Sequence, residues 1–369
     1  MSGANRCAQS TSERGRTRRA AKVGASLFAV LALVLIAVTA AYAGGATTPP
    51  PKLVEPMHPA SCGSKPIQIA FVSALANTYG QAIEKGLRDF LSTCSNVKVV
   101  DFDTGFDSQK EFNTIEDVAT QGTFQGIAFL PLDAVGVIPA VEDAISHGIQ
   151  VVNFNNPVGN DYETVKPHIP GMAGTVLEPQ YQRGVWLAQM SAEACQGISD
   201  CQIGFIGGGA SSAEVAIKLG FLKGMKKFPN LHLVAYSQSG QYLPGPGETV
   251  AEDFLSAHPK LNVITGSGDQ MMRGAALAIA NVGKQKQVNI VGLGASQIAV
   301  AAVKAGQWFG TVITQPLDQG DLTGYVLMRH ILDPSLPPEG INPFTYTHRT
   351  ALLTQAVLKQ THFVPQWSG

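Results

Sequence analysis

The sequence predicts an α/β protein made of two doubly wound lobes, each with a parallel sheet. Three observations lead there. After Ile67, an apolar strand-like run followed by an amphipathic helical stretch recurs at intervals of roughly 25–30 residues. The first run, Ile67–Ser73, is nearly continuous in apolar residues at its centre, as expected of a sheet covered on both faces. The chain of 369 residues is long enough for two domains of about 100–200 residues, and its rhythm breaks once, over 156–174, where Pro, Gly and Asn gather.

Ile67–Ser73 is the first predicted strand, and a helix over Gln81–Leu91 follows with Ile83, Leu87, Phe90 and Leu91 along one stripe. Next come a strand at Val97–Phe102, a helix near Ser108–Thr120, a strand at Gly126–Leu130, a helix near Val135–Ser146 and a strand at Gln150–Asn155. Beyond the break the pattern predicts a helix near Tyr181–Ala194. Strands are expected at Cys201–Ile206, Leu231–Tyr236, Asn262–Thr265, Val288–Leu293 and Gly310–Thr314. A helix near Asp321–Leu332, a turn with Pro334, Pro337 and Pro338, and a strand near Tyr346–Leu353 close the chain. These last pieces find places if the chain crosses between the lobes more than once.

The N-terminal stretch differs in character. Arg14, Arg16, Arg18, Arg19 and Lys22 precede an apolar run, 23–43, that ends in Ala41-Tyr42-Ala43. Basic residues, an apolar run and small residues at −3 and −1 are the parts of a secretory signal peptide, so 1–43 is expected to be removed on export. A retained membrane anchor is the alternative, since the run could span the bilayer as a helix. Residues 44–66, with Pro49-Pro50-Pro51, are expected to form a Pro/Gly-rich linker. The lobes are then expected at 67–172 plus 316–342 and at 173–315 plus 343–369.

Export bears on the five cysteines. Cys7 leaves with the signal, and Cys62, Cys94, Cys195 and Cys201 remain. An even number in an oxidising compartment suggests disulfides, and Cys62–Cys94 with Cys195–Cys201 keeps both loops short. Zinc is disfavoured, because Cys-x5-Cys without a nearby His is poor ligand spacing.

Hydrophobic residues make up 45% of the chain, which excludes disorder throughout. The balance of 26 Lys+Arg against 27 Asp+Glu argues against nucleic acid as a partner. There is no Gly-x-Ser-x-Gly elbow, no His-Glu-x-x-His and no Gly-Lys-Ser/Thr phosphate loop. A non-enzymatic protein without cofactor or metal is therefore expected. A paired-carboxylate glycosidase is the enzymatic rival, with few strand-end carboxylates to serve it.

In open α/β sheets, ligands bind beyond the carboxyl ends of the strands, and two facing sheets would enclose a cleft there. Several predicted strand ends carry suitable groups. Asn77 and Tyr79 follow the first strand; an aromatic ring beside an amide suits a sugar, or the ring packs in the lobe and Asn77 caps the helix. Asn155 and Asn156 end the fourth, as hydroxyl partners or as turn residues. Gly207-Gly208-Gly209-Ala210-Ser211-Ser212 follows another strand, and Ser211 and Ser212 face the expected cleft. Tyr242 is a second stacking ring or a loop aromatic. Asp269 either grips hydroxyls or caps a helix. Gln315 either contacts ligand or satisfies the backbone of a crossing.

On these residues the sequence resembles the type I solute-binding proteins of bacterial ABC importers, in the ribose/galactose-binding group, over about 67–353. The resemblance is carried by Ser-x-Leu-x-Asn-x-Tyr at 73–79, Gly-Ile-x-x-Val-x-Phe-Asn at 148–155, and Ser211-Ser212 leading to Gly220-Phe221. Val263 to Gly274, and Val291-Gly292 followed by 311–316, complete it. It implies two three-layer αβα lobes joined by about three crossings, and ligand contacts at Asn77, Tyr79, Asn155, Asn156, Tyr242, Asp269 and Gln315. Gly268 and Gly294 stand where the family has a ligand-binding Asn and Asp, and the family Arg after Ser211-Ser212 is absent. Most of the charged clamp is therefore missing, which favours a larger or less hydroxylated solute than ribose. The resemblance also implies an extracytoplasmic monomer that takes a sugar-like solute to an inner-membrane ABC permease. A sensor feeding a membrane kinase or chemoreceptor is the rival.

Overall fold

The computed structural model describes residues 58–347 and 350–369. The first sheet is built from β1 (Ile67–Ser73), β2 (Val97–Asp103), β3 (Gly126–Phe129), β4 (Gln150–Phe154), β5 (Gly174–Val176) and β11 (Glu339–Ile341). Their order is β11-β5-β4-β3-β1-β2, and every pair is parallel. The second sheet uses β6 (Cys201–Ile206), β7 (Leu231–Ser237), β8 (Leu261–Gly266), β9 (Asn289–Gly294), β10 (Gly310–Ile313) and β12 (Leu352–Thr354). Its order is β12-β10-β9-β8-β6-β7, parallel except for β12, which runs antiparallel to β10.

Helices cover both faces of each sheet. In the first lobe α2 (Ser108–Gln121) and α3 (Ile138–Ser146) pack on one face, through Ile115, Val118, Ala140 and Val141. On the other face α1 (Thr78–Leu91) and the late helix α9 (Pro316–Leu332) bury Ile83, Leu87, Leu322 and Val326 against Phe71 and Phe154. In the second lobe α4 (Gln180–Ala194) and α5 (Ser212–Met225) cover one side, with Leu187, Ile217 and Phe221 inward. The opposite side carries α6 (Pro244–Ala257), α7 (Asp269–Asn281) and α8 (Gln297–Lys304). Burial of these apolar faces drives the folding of each lobe at about 25 cal/mol per Å².

Two helix crossings matter for the site. Gly86 of α1 and Gly320 of α9 meet so closely that a Cβ at either would fall 2.1 Å from Leu317 O or 1.9 Å from Ile83 O. Without side chains there, α9 lies directly on α1 and brings Gln319 beside Tyr79. Gly184 of α4 makes the same approach to α5, where a Cβ would sit 2.0 Å from Ile217 O, and this seats the neighbouring Arg183.

The chain passes between the sheets three times: after β5, between β10 and α9, and between β11 and β12. Two short strands differ from the sequence expectation. β5 belongs to the first sheet, whereas residues from 173 onward were expected in the second lobe. β11 fills an edge beside β5 where no strand was expected. Each has three residues, too few for a periodic pattern to register. The helix expected at Asp321 begins instead at Pro316, whose fixed φ suits a first helical position. The expected last strand shortens to β12, preceded by the one-turn helix α10 (Pro343–Thr347), and α11 (Gln355–Gln360) follows.

Both expected disulfides are present, with Cα–Cα separations of 5.3 Å for Cys62–Cys94 and 6.0 Å for Cys195–Cys201. The end of the expected linker is consequently tied to the first lobe. Asn96 adds to this by donating to Cys62 O at 2.9 Å and Lys65 O at 2.8 Å. The expected signal segment, 1–43, and the linker as far as residue 57 lie outside the described residues.

Candidate functional site

Residues following the carboxyl ends of strands in both sheets line one cavity of about 850 Å³. Its floor is here the part near the crossings, and its mouth the part flanked by the loops after β2 and β7. The floor is a hydrogen-bonded hub. The Tyr79 hydroxyl donates to Asn155 Oδ1 at 3.3 Å and accepts from Gln319 Nε2 at 2.9 Å and Arg183 Nη2 at 3.2 Å. Arg183 also donates from Nη2 to Glu178 Oε2 at 2.6 Å, and from Nη1 to Asn155 Oδ1 at 3.1 Å and Gln180 Oε1 at 3.0 Å. Glu178 stands on the first crossing, and its Oε1 accepts from the Gln315 backbone N–H on the second at 3.0 Å. One ion pair thus joins two crossings to the floor.

Both members of that pair are buried. Loss of water pushes the Glu178 carboxyl up, while the Arg183 guanidinium and the Gln315 N–H pull it back. The Tyr79 phenol is likewise held above its ordinary value by burial, with Arg183 opposing. The floor is consequently polar, preorganised and close to neutral in net charge.

Of the residues expected from the sequence, Asn77, Tyr79, Asn155, Asn156, Ser211, Ser212 and Tyr242 line this cavity. Several are also engaged within the protein. Asn77 Oδ1 caps α1 by accepting from Tyr79 N at 2.8 Å. Asn155 sits at φ +61°, a left-handed backbone that Asn tolerates. Asn156 Oδ1 accepts from Gln180 and Asn155, and its Nδ2 donates to Pro131 O at 2.7 Å. Ser211 caps α5, and Ser212 Oγ accepts from Ala134 N at 3.1 Å, a bond from one lobe to the other.

Asp269 and Gln315 do not line the cavity. The Asp269 carboxylate turns into its own lobe, accepting from Ser296 N at 2.9 Å and Thr311 Oγ1 at 3.0 Å. Burial pushes it up to about 6 despite these donors. Gln315 is buried on its crossing and donates to Asp318 Oδ2 at 2.7 Å. It serves the crossing, the second of the alternatives its position allowed.

The structure adds residues that the sequence did not reveal. Besides Glu178, Gln180, Arg183 and Gln319, these are Glu214 and Trp367. Glu214 is buried, with no cationic partner among the described residues, and its Oε1 accepts from Gly208 N at 2.8 Å, from Ser267 Oγ at 2.5 Å and from the Tyr242 hydroxyl. Burial raises this carboxyl, and the three donors oppose the shift. Trp367 returns to the floor from the last residues. Its indole donates to Gly294 O at 2.8 Å, and its ring meets Tyr79 edge-on with centroids 5.4 Å apart. Gln366 Oε1 accepts from Leu317 N at 2.9 Å, capping α9 and fixing the segment that carries the indole.

This explains two glycines that break the expected pattern. A Cβ at Gly294 would fall 2.4 Å from Trp367 Cζ2, and one at Gly268 would fall 3.1 Å from Tyr242 Cδ1. Aromatic rings occupy space that side chains on these strand ends would need.

Residues 69–333 match the family model described as "Periplasmic binding protein domain". The chain belongs to this periplasmic binding protein family. Among curated relatives, it is 29% identical over 259 residues to the D-allose-binding periplasmic protein of Escherichia coli K12, covering 70% of this chain and 81% of that protein. It is 26% identical over 275 residues to the ribose import binding protein RbsB of Bacillus subtilis 168, covering 72% and 82%. Among solved structures, a Mycobacterium smegmatis protein in complex with β-D-fucofuranose aligns with TM-score 0.69 at 21% identity, over 79% of this chain and 93% of that one. An ABC transporter solute-binding protein from Bacillus halodurans C-125 with bound myo-inositol aligns with TM-score 0.70 at 18% identity, over 81% and 98%. These likenesses support the two-lobe αβα architecture of the periplasmic binding protein described above.

Proposed function

We propose that this periplasmic binding protein captures a sugar or sugar-like solute in the cleft between its lobes and delivers it to an ABC importer. The observation that carries the reading is the floor hub. Tyr79 and Asn155 of one lobe, Arg183 of the other and Gln319 of the returning helix converge on one polar, near-neutral surface beside an indole. Amides and a hydroxyl suit an uncharged polyhydroxyl solute, and the aromatic rings suit its C–H face. The curated relatives named above bind or import allose and ribose, which supports the same solute class.

In this reading the solute enters between open lobes, and hinge motion at the three crossings closes them over it. No bond of the solute is made or broken. The protein acts as an extracytoplasmic monomer, exported by its N-terminal segment, and the closed form docks on an inner-membrane permease. At an efficiency of about 0.7 kcal/mol per heavy atom, a monosaccharide would bind with roughly micromolar affinity.

A thermal-shift screen of D-allose, D-ribose, D-arabinose, D-galactose and myo-inositol tests this. A solute at 100 times its dissociation constant adds about 2.7 kcal/mol of stability. A clear upward shift with at least one member is expected. No shift with any of them, or with their glycosides, would remove the sugar reading.

A further inference from the structure

We propose that the mouth of the cleft is an aglycone subsite, so that the preferred solute is a glycoside carrying a planar apolar group rather than a free monosaccharide. This rests on the sugar reading of the floor and extends it.

The subsite is formed by Phe106, on the loop after β2 in the first lobe, and Tyr242, on the loop after β7 in the second. Their rings face each other at 15° with centroids 6.1 Å apart, and both line the cavity. Both residues hold left-handed backbones, φ +62° and +51°, which bulky residues seldom adopt and which cluster where function demands them. Tyr242 is held in place from behind. Its hydroxyl is bound by Glu214, and its ring rests on Gly208, where a Cβ would fall 2.3 Å away. What it offers the cavity is a fixed aromatic face.

Exposed apolar side chains accompany this pair in lining the cavity. Phe106 is 49% exposed, Leu243 52% and Val215 44%, and all three line the same cavity. Exposed apolar groups gathered at one site mark a binding surface. Polar side chains also line the cavity, Gln238 and Gln241 among them, and several others are already engaged. Ser211 is used in capping α5, Ser212 is bonded to Ala134, and Asp133 Oδ1 accepts from Val135 N at 3.1 Å and Gly136 N at 3.0 Å. The cavity, about 850 Å³, lies in the upper part of the roughly 300–1,000 Å³ range of sites that enclose drug-sized ligands. A sugar on the floor leaves room beside these rings. Because one ring comes from each lobe, a flat group lying against the exposed side of the pair would touch both lobes at once.

The test is calorimetric titration of the protein and of Phe106→Ala. The probes are paired methyl and 4-nitrophenyl glycosides of D-ribose, D-allose, D-arabinose and D-galactose. For the sugar that fits the floor, the aryl glycoside is expected to bind at least tenfold more tightly than its methyl partner. Phe106→Ala is expected to bring that ratio back towards one. Equal affinities in the unaltered protein, or a ratio that survives Phe106→Ala, would overturn the aglycone subsite and leave the sugar reading standing. Failure of every glycoside and every parent sugar to bind would remove both.

Discussion

Two buried glutamates organise different parts of the cleft, and they do so differently. Glu178 at the floor is paired with a buried guanidinium and ties two crossings together. Glu214 at the mouth has no cation among its partners; it gathers Tyr242, Ser267 and a backbone N–H. The floor is therefore a charged structural joint whose interior balance is zero. The mouth is a bracket of hydrogen bonds that holds an aromatic face. The same residue type joins two crossings in one place and braces an aromatic ring in the other, and the donor set decides which.

Replacing each glutamate by its isosteric amide should break this comparison most sharply. Glu178→Gln leaves the Arg183 charge buried without its counter-ion, and a loss of about 3–5 kcal/mol is expected in urea unfolding. A loss below about 1 kcal/mol would mean that the pair does not hold the floor. At Gly294, substitution by Ala drives a Cβ into Trp367 and into Asp269 Oδ2, which lies 2.6 Å from that position, on a backbone at φ +148°. A loss of about 1–3 kcal/mol is expected by the same measurement.

Glu214→Gln should have the smallest effect on stability, under about 2 kcal/mol at neutral pH, because an amide oxygen still accepts the three donors. Its signature is pH dependence. Burial raises the Glu214 carboxyl, so the folded protein keeps a proton that the unfolded chain releases, and stability falls as pH rises above about 4.5. Glu111 tilts the curve the same way: burial pushes it up to about 8, and it accepts one backbone bond, from Leu132 N at 2.9 Å. Unfolding followed from pH 5 to 8 should therefore show a shallower decline in Glu214→Gln and again in Glu111→Gln. Slopes that match the unaltered protein would mean that neither carboxyl takes up a proton on folding.

The fold was legible where the pattern was long. β1 was expected over the residues it occupies, because a buried central strand reads as one apolar run. β5 and β11 were not, because three residues at an edge carry no periodicity. In the candidate site, the cavity-lining places of Asn77, Tyr79, Asn155 and Tyr242 were legible from their positions after strands. Arg183 and Glu214 were not, since a charged residue near the start of an amphipathic helix looks like a solvated one until its partners are known. Trp367 was illegible for a related reason. It comes from a short closing segment with no pattern of its own and reaches Gly294 across 73 positions of sequence. Side chains on strand ends can be placed from local order, whereas a hub depends on which distant elements the crossings bring together.

Calorimetric titration of the unaltered protein and of Tyr79→Ala with the sugar that gives the largest thermal shift tests the cleft most directly. Tyr79 stands at the centre of the floor, so binding to one site at roughly micromolar affinity is expected, weakened by about 1–3 kcal/mol when the ring and its hydroxyl are removed. An unchanged affinity in the folded Tyr79→Ala variant would place the solute elsewhere and contradict the cleft as its site.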